Sequence, residues 1–284
     1  MLQDKAFLIK PSLSRFTPYK FDRNMSAATA QVYGAESGSI RTTKRLVSCQ
    51  EYKDIEKKDS EIRQFVYHHT RPWLDDGWRI LATSMYFEVT EKLSKLFCDR
   101  ETFVRAFVER WPEIKAEAAI SLGEAYNSAD FPDSVESKFS ASLDFMPIPR
   151  IGDFRLENVS ADDIARIEAD TMVKIEEQFK PTDLWKRVYD SVERISERLH
   201  AYGSDETGKV VNKFHDTLIG NLRDLCDILP KLNISGDEAL NAMHKRLEQE
   251  LCFYDPAELR ENEIARIDVA SAADKILEEV KGWI

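Results

Sequence analysis

Between residues 160 and 280, apolar side chains recur every three or four positions in five successive runs. A run of that period buries its stripe only as an α-helix packed on other helices. Ile164, Ile167, Thr171, Ile175 and Phe179 form the first stripe, opened by Ser160 and Asp163 at the spacing of a capping pair. Pro181 separates it from a second, which carries Leu184, Val188, Val192, Ile195, Leu199 and Tyr202 and ends at Gly203. The third holds Phe214, Leu218, Leu222, Leu225 and Leu229 and stops at Pro230; the fourth, after Ser235, holds Leu240, Met243, Leu247 and Leu251. Asp255 and Pro256, a cap and a first-turn proline, open the last, with Ile264, Ile267, Ala270, Ala273, Leu277 and Val280. Each stripe is narrow and flanked by charge, much as in heptads, and the breaks are short. Residues 159–284 are therefore expected to form a bundle of long antiparallel, coiled-coil-like helices.

Residues 1–158 read as a mixed, mostly helical domain with short strands, so the whole chain is mainly α with a small α+β N-terminal part. AFLIK and SRFTPYKF, split by Pro11, suggest edge strands, and Ser26 to Ser39 suggests a loop. Helices are predicted from Glu51 to His69, from about Arg79 to Phe97, and from Arg100 to Tyr126 with a kink or junction at Pro112. RPWLDDGW is a connector between the first two, and Asp130-Phe131-Pro132 starts a short helix. Residues 144–158, DFMPIPRIGDFRLEN, look extended and mark the domain boundary. The helical content implied is about 60–70%, against a usual third, with strand confined to residues 1–48 and 143–158.

Ten glycines and ten prolines are few for an all-β chain of this size. The formal net charge of −11 disfavours general affinity for phosphate backbones. The charge is uneven: residues 1–45 hold eight basic side chains against three acidic ones, a net of +5 that leaves −16 to the rest. Cys49, Cys98, Cys226 and Cys252 form no CxxC pair or zinc spacing; the last three sit near apolar stripes and read as buried thiols of a reducing compartment. No stretch approaches 18 apolar residues, and MLQDKAFLIKPSLSRF lacks the apolar core of a signal peptide, so a cytoplasmic location is expected.

No catalytic, metal-binding or cofactor-binding motif emerges. His68 and His69 are adjacent, about 100° apart on a helix, and cannot easily share a metal. Asp75, Asp76 and Gly77 suit a turn better than a metal site. Trp73 and Trp78 with Asp75 and Asp76 in that turn, and Asp153 and Arg155 in the extended stretch, are the candidate partner-binding residues. In an enzymatic reading the connector and the extended stretch together would supply Asp75, Asp76, Asp153 and Arg155 to an unrecognised site. In a nucleic-acid reading, Arg15, Lys20 and Arg23 would bind phosphate, with Phe16, Tyr19 and Phe21 as stacking groups.

The order of TRPWLDDGWRIL, FVRAFVERWPEIKAEAAISLGEAYNSADFP, DFMPIPRIGDFRLEN and ILPKLNISGDEAL resembles a group of uncharacterised proteins of tailed bacteriophages and some bacteria, over roughly residues 45–240. Relatives in that group are sometimes encoded near MoxR-type AAA ATPases and proteins with a von Willebrand A domain. The resemblance implies a bacterial or phage-encoded cytoplasmic protein and carries no active site. The leading expectation is a non-enzymatic helical adaptor or scaffold. It would bind a protein partner, such as an AAA ATPase, or itself through its helices, without a cofactor and without a membrane.

Overall fold

The computed structural model describes residues 2–74, 77–153, 156–204 and 210–284. The protein is 64% helical, with its small sheet contributed mainly by the N-terminal part and long helices following. In chain order, strand β1 (Ala6–Ser14) is followed by β2 (Tyr19–Phe21), helix α1 (Arg23–Val32) and β3 (Thr43–Arg45). Helix α2 (Gln50–His69), strands β4 (Arg71–Trp73) and β5 (Trp78–Ala82), and helices α3 (Tyr86–Glu109) and α4 (Trp111–Leu122) come next. Strand β6 (Ser140–Met146) precedes α5 (Ala161–Phe179) and α6 (Thr182–Ala201), and a short ribbon, β7 (Gly203–Ser204) with β8 (Val210–Val211), leads to α7 (Thr217–Leu232). The chain closes with α8 (Glu238–Leu247), one π-helical turn (Glu248–Cys252), α9 (Pro256–Glu261) and α10 (Glu263–Val280).

The chain divides into two compact units, but not at residue 158. Unit 1 comprises Met1–Ile9, His69–Tyr86 and Phe145–Ile284; unit 2 comprises Lys10–His68 and Phe87–Asp144. Backbone pairing decides this. Ala6 to Ile9 of β1 pair antiparallel with Ala82 to Arg79 of β5, which pairs in turn with β4, so the first residues join these strands and the C-terminal helices.

In unit 1 the two ends of the predicted connector RPWLDDGW belong to the paired antiparallel strands β4 and β5, with Trp73 opposite Trp78. Helix formation resumes only at Tyr86, not at Arg79. Pro72 does end α2, and it sits in the edge strand, where its missing N–H costs no ladder bond. Arg71, 1% exposed, fastens this strand pair to the α5–α6 corner. Its guanidinium donates to the carbonyls of Gln178, Phe179 and Lys180, and to Asp183 Oδ1 at 2.7 Å. Those carbonyls are ones that a helix C-terminus leaves without an intrahelical donor, so a single side chain caps α5 and ties it to α6. Helix α5 begins at the expected Ser160 cap, whose Oγ accepts the N–H of Asp163 at 3.1 Å. Helices α6 and α10 run antiparallel: Ser196 Oγ donates to Asp274 Oδ1 at 2.6 Å, and Trp185 stacks on Trp283 with centroids 5.1 Å apart. Pro230 lies inside the last turn of α7 rather than ending it. It has no N–H for the carbonyl of Cys226, four residues back, and His244 Nε2 fills that vacancy at 2.9 Å.

Unit 2 packs α2, α3 and α4 around an aromatic core of Phe16, Tyr52, Phe107, Trp111 and Phe131. Trp111 Nε1 donates to the carbonyl of Pro132 at 2.9 Å. Pro112 marks the junction between α3 and α4, as its place in a first turn requires. Two expectations change here. The loop expected from Ser26 to Ser39 begins instead within helix α1 (Arg23–Val32), which forms because Asp22 caps it, accepting the N–H of Met25 at 2.9 Å. The short helix expected to start at Asp130-Phe131-Pro132 does not form; the region makes only isolated 3-10 turns, Ser128–Asp130 and Glu136–Lys138.

The buried stripes of α2 (Tyr52, Ile55, Asp59, Ile62, Val66) and α3 (Val89, Leu93, Leu96, Arg100, Val104, Phe107) each contain one charge. Asp59 Oδ1 and Arg100 Nε lie 2.6 Å apart with both side chains at most 2% exposed. Arg100 also donates to the carbonyl of Ser14 at 2.6 Å, and Arg15 reaches Asp59 Oδ2 at 3.3 Å. Removing one member of a buried pair strands the other charge. We therefore expect Asp59→Leu or Arg100→Met to lower the unfolding free energy by about 3–5 kcal/mol in urea denaturation. The double replacement should lose clearly less than the two single losses added together; full additivity would show that the ion pair contributes no coupling.

Candidate interaction surface

Helix α9 is set by its ends. Asp255 Oδ1 accepts the N–H of Ala257 at 2.7 Å, and Pro256 occupies the first turn. Asn262 then serves two helices at once. Its N–H donates to Glu258 O at 2.8 Å, closing α9, and its Oδ1 accepts the N–H of Ala265 at 3.1 Å, opening α10. The corner places Asp255, Glu258, Glu261 and Glu263 with Ile264 around an open depression of about 700 Å³. Glu263 also lines a neighbouring depression with Ile267, His200 and Arg266. Ile264 is 74% and Ile267 59% exposed.

The sequence assigned both isoleucines to the buried stripe of α10. The buried face is instead Ala265, Val269, Ala270, Ala273, Ile276 and Val280, with Leu277 half-buried. The small residues let α10 lie close to α6, and the two branched side chains at its start fall outside that contact.

The local cations are turned inward. Arg260 donates to Phe214 O at 3.3 Å, pairs with Asp216 and lies over the Phe214 ring. Arg266 donates to Leu259 O at 3.0 Å and lies 4.6 Å from the Tyr202 ring centroid. Among the described residues, Glu258, Glu261 and Glu263 have no basic partner, so the rim around Ile264 is acidic. Unit 1 as a whole holds 32 acidic and 22 basic side chains, against 19 and 18 in unit 2, so nearly all the net negative charge belongs to the unit that bears this surface.

Among the described residues, those singled out from sequence do not gather into one site. Trp73 is 6% exposed and belongs to the core of unit 1, and Trp78, opposite it, is half-buried. Asp153 is exposed and accepts the backbone N–H of Arg150 at 2.6 Å, a turn role. Asp75, Asp76 and Arg155 lie outside the described residues. Of the candidate phosphate ligands, Arg15 pairs with Asp59 and Glu56, Lys20 pairs with Asp130 at 2.5 Å, and Arg23 is exposed. Phe16 is buried. Cys98 is exposed rather than buried, and Cys252 is half-buried. Among the described residues, no group of three or more His, Cys, Asp and Glu side chains could hold a metal, and no helix is long and apolar enough to cross a membrane.

A second polar cluster lies in unit 2, beside a depression of about 500 Å³. Lys44 Nζ, 6% exposed at its side chain, sits 2.8 Å from Asp130 and 3.2 Å from Asp22, and donates to the carbonyl of Ala125 at 2.8 Å. The bond to Asp130 holds the Lys44 ammonium above its ordinary range, with burial opposing it. Burial opposes ionisation of Asp130, but Lys20 and Lys44 outweigh it and keep the carboxyl low; Asp22 is held low first by the N–H of Met25. Lys44 thus pairs with both carboxylates and with the Ala125 carbonyl, so the cluster is a strut joining β3 to residues 123–130. No protein-family profile, curated protein or solved structure matches the chain.

The strut carries a pH signature. Carboxyls held low in the folded state stabilise it above their unfolded value near 4, and that contribution is lost as pH falls through their folded values. The raised Lys44 contributes below about pH 10.4 and loses that contribution as pH rises through its folded value. Lys44→Met is expected to lower the urea midpoint at pH 7 by an amount worth roughly 2 kcal/mol. The gap from the parent should narrow below about pH 4. A gap unchanged between pH 7 and pH 3 would show that the carboxylates are not its partners.

Proposed function

We propose that the protein is a non-enzymatic interaction module, an adaptor or scaffold, that holds a basic amphipathic helix of a partner protein on the corner between α9 and α10. The observation that carries this reading is the pair of exposed isoleucines, Ile264 and Ile267, ringed by unpaired carboxylates while the nearby arginines point inward. Apolar side chains of the partner would cover the isoleucines, and lysines one turn away would face Glu258, Glu261 and Glu263. The complementary charge would set orientation and speed of encounter, and burial of the isoleucines would supply affinity. A cytoplasmic assembly of a bacterium or phage, with a partner such as an AAA ATPase, is the setting that the sequence resemblance implies.

The probe is a fluorescein-labelled 18-residue Leu/Lys amphipathic helix, titrated by anisotropy against the full chain. A scrambled peptide of the same composition is the control. Ile264→Asp and Ile267→Asp alter exposed positions and should leave the fold intact. Each is expected to weaken binding at least tenfold, and raising salt from about 50 to 300 mM should weaken the parent. Equal binding by parent and variants, or by helix and scrambled peptide, overturns the proposal. So does a concentration-dependent dimer in sedimentation that Ile264→Asp abolishes, since the surface would then serve a second copy of the chain.

One observation favours a second reading, nucleic-acid binding. Tyr19 and Phe21 are 53% and 42% exposed, and the guanidiniums of Arg45 and Arg41 lie 5.9 and 5.0 Å from their ring centroids. Two rings at alternate positions of one strand share a face on which bases could stack. With Arg15 and Lys20 engaged by carboxylates, the phosphate-binding role would move to Arg23, Arg41 and Arg45. Titration with a single-stranded dT20 at about 150 mM salt is expected to show no binding tighter than roughly 1 μM, the tight edge of ordinary non-specific affinity. Tighter binding, lost in Tyr19→Ala/Phe21→Ala, would promote this reading over the first.

A further inference from the structure

We propose that Cys226 and Cys252 form a peroxide-oxidisable dithiol, a modification site that links α7 covalently to the π-helical turn before α9. Their sulfurs lie 3.7 Å apart, in van der Waals contact, and both thiols are free. A disulfide needs about 2.05 Å, a closure of the size that side-chain rotation and a small backbone shift provide.

The surroundings hold both cysteines in place from the backbone side. His244 Nε2 donates to the carbonyl of Cys226 at 2.9 Å, the acceptor left open by Pro230. Arg223 donates to the carbonyl of Cys252 at 3.0 and 2.8 Å and to that of Tyr254 at 3.0 Å. The π turn supplies the other half of the arrangement. Its wider ladder re-aims the side chains that follow it, as such turns do at functional positions, and Cys252 is its last residue.

The two thiols are not equivalent. Cys226 is 2% exposed, whereas Cys252 is half-buried and reachable by a small oxidant. The hydrogen bond between the two sulfurs keeps the Cys252 thiol below its ordinary value; the Arg223 charge acts in the same direction and burial against it. The same bond, with burial, pushes the Cys226 thiol up. Cys252 is therefore the attacking sulfur and Cys226 the resolving one. The Cys252 thiolate attacks one oxygen of hydrogen peroxide and the O–O bond breaks. Hydroxide leaves and is protonated to water, and Cys252 becomes a sulfenic acid. Cys226 gives up its proton and attacks the Cys252 sulfur; the S–O bond breaks, a second water leaves and the S–S bond forms. Two thiols lose two electrons and the peroxide gains them.

The reduced full-length protein, treated with a few equivalents of hydrogen peroxide and digested without reductant, should yield peptides joined through Cys226 and Cys252. Reductant should separate them again. In Cys226→Ser the sulfenic acid on Cys252 has no resolving partner and should be trapped by dimedone. In Cys252→Ser the buried Cys226 should stay reduced. Cys252 is expected to react at least tenfold faster than the exposed Cys98 in the same sample, which serves as an internal reference independent of any variant. Oxidation of Cys98 ahead of Cys252, or a Cys252 that remains reduced while Cys98 is consumed, would overturn the proposal.

Discussion

A guanidinium removed from water must find acceptors for its N–H groups, and both units are organised by that requirement. Arg71 meets it by taking the carbonyls at the end of α5 together with Asp183. Arg100 meets it by taking Asp59 and the carbonyl of Ser14. In each unit one side chain therefore determines where several elements can go: the β4–β5 pair on the α5–α6 corner, and the end of β1 on α2 and α3. An apolar side chain of equal size would fill the same space and accept many arrangements. A buried arginine accepts few, because each misplacement leaves a donor unpaired.

Carbonyls freed from helical ladders recur as binding points within the molecule. Pro230 frees the carbonyl of Cys226 for His244, and the π turn ends with a carbonyl that Arg223 takes. Arg266 faces the carbonyl of Leu259 near the end of α9, and Arg260 that of Phe214, which precedes α7. Arg223, Arg260 and Arg266 are thus turned to the protein's own carbonyls, while Glu258, Glu261 and Glu263 face solvent. The acidic surface of unit 1 follows from this partition as much as from composition.

The short helix α9 illustrates how a binding surface can arise at a corner. One asparagine closes α9 and opens α10. Ala265 in the first turn of α10 is buried, while Ile264 and Ile267 lie on the face turned away from that buried side and stay at the surface. Along the rest of α10, alanines at 270 and 273 permit close approach to α6, and branched residues fill the remainder.

Helix content, the caps at Ser160 and Asp255, the Pro112 junction and the stripes of α6 and α7 were legible in the sequence, because periodicity and capping are local properties. The β4–β5 pair was not, since its strands are three and five residues long and its pairing with β1 spans some seventy residues of chain. Nor was α1, whose Ala- and Ser-rich composition resembles a loop until Asp22 is seen to cap it. The proposed surface was legible only as residue types: Ile264 and Ile267 fit the α10 stripe as well as their neighbours do. Periodicity defines a face to within about one residue, or 100° of rotation; which neighbour is covered depends on where α6 lies. The sequence by itself determined a mainly helical chain with its stripes, caps and breaks. Tertiary structure alone decided the division into units, the partners of Arg71 and Arg100, the meeting of Cys226 with Cys252 and the exposure of two isoleucines, because each of these joins residues whose separation along the chain carries no local signal.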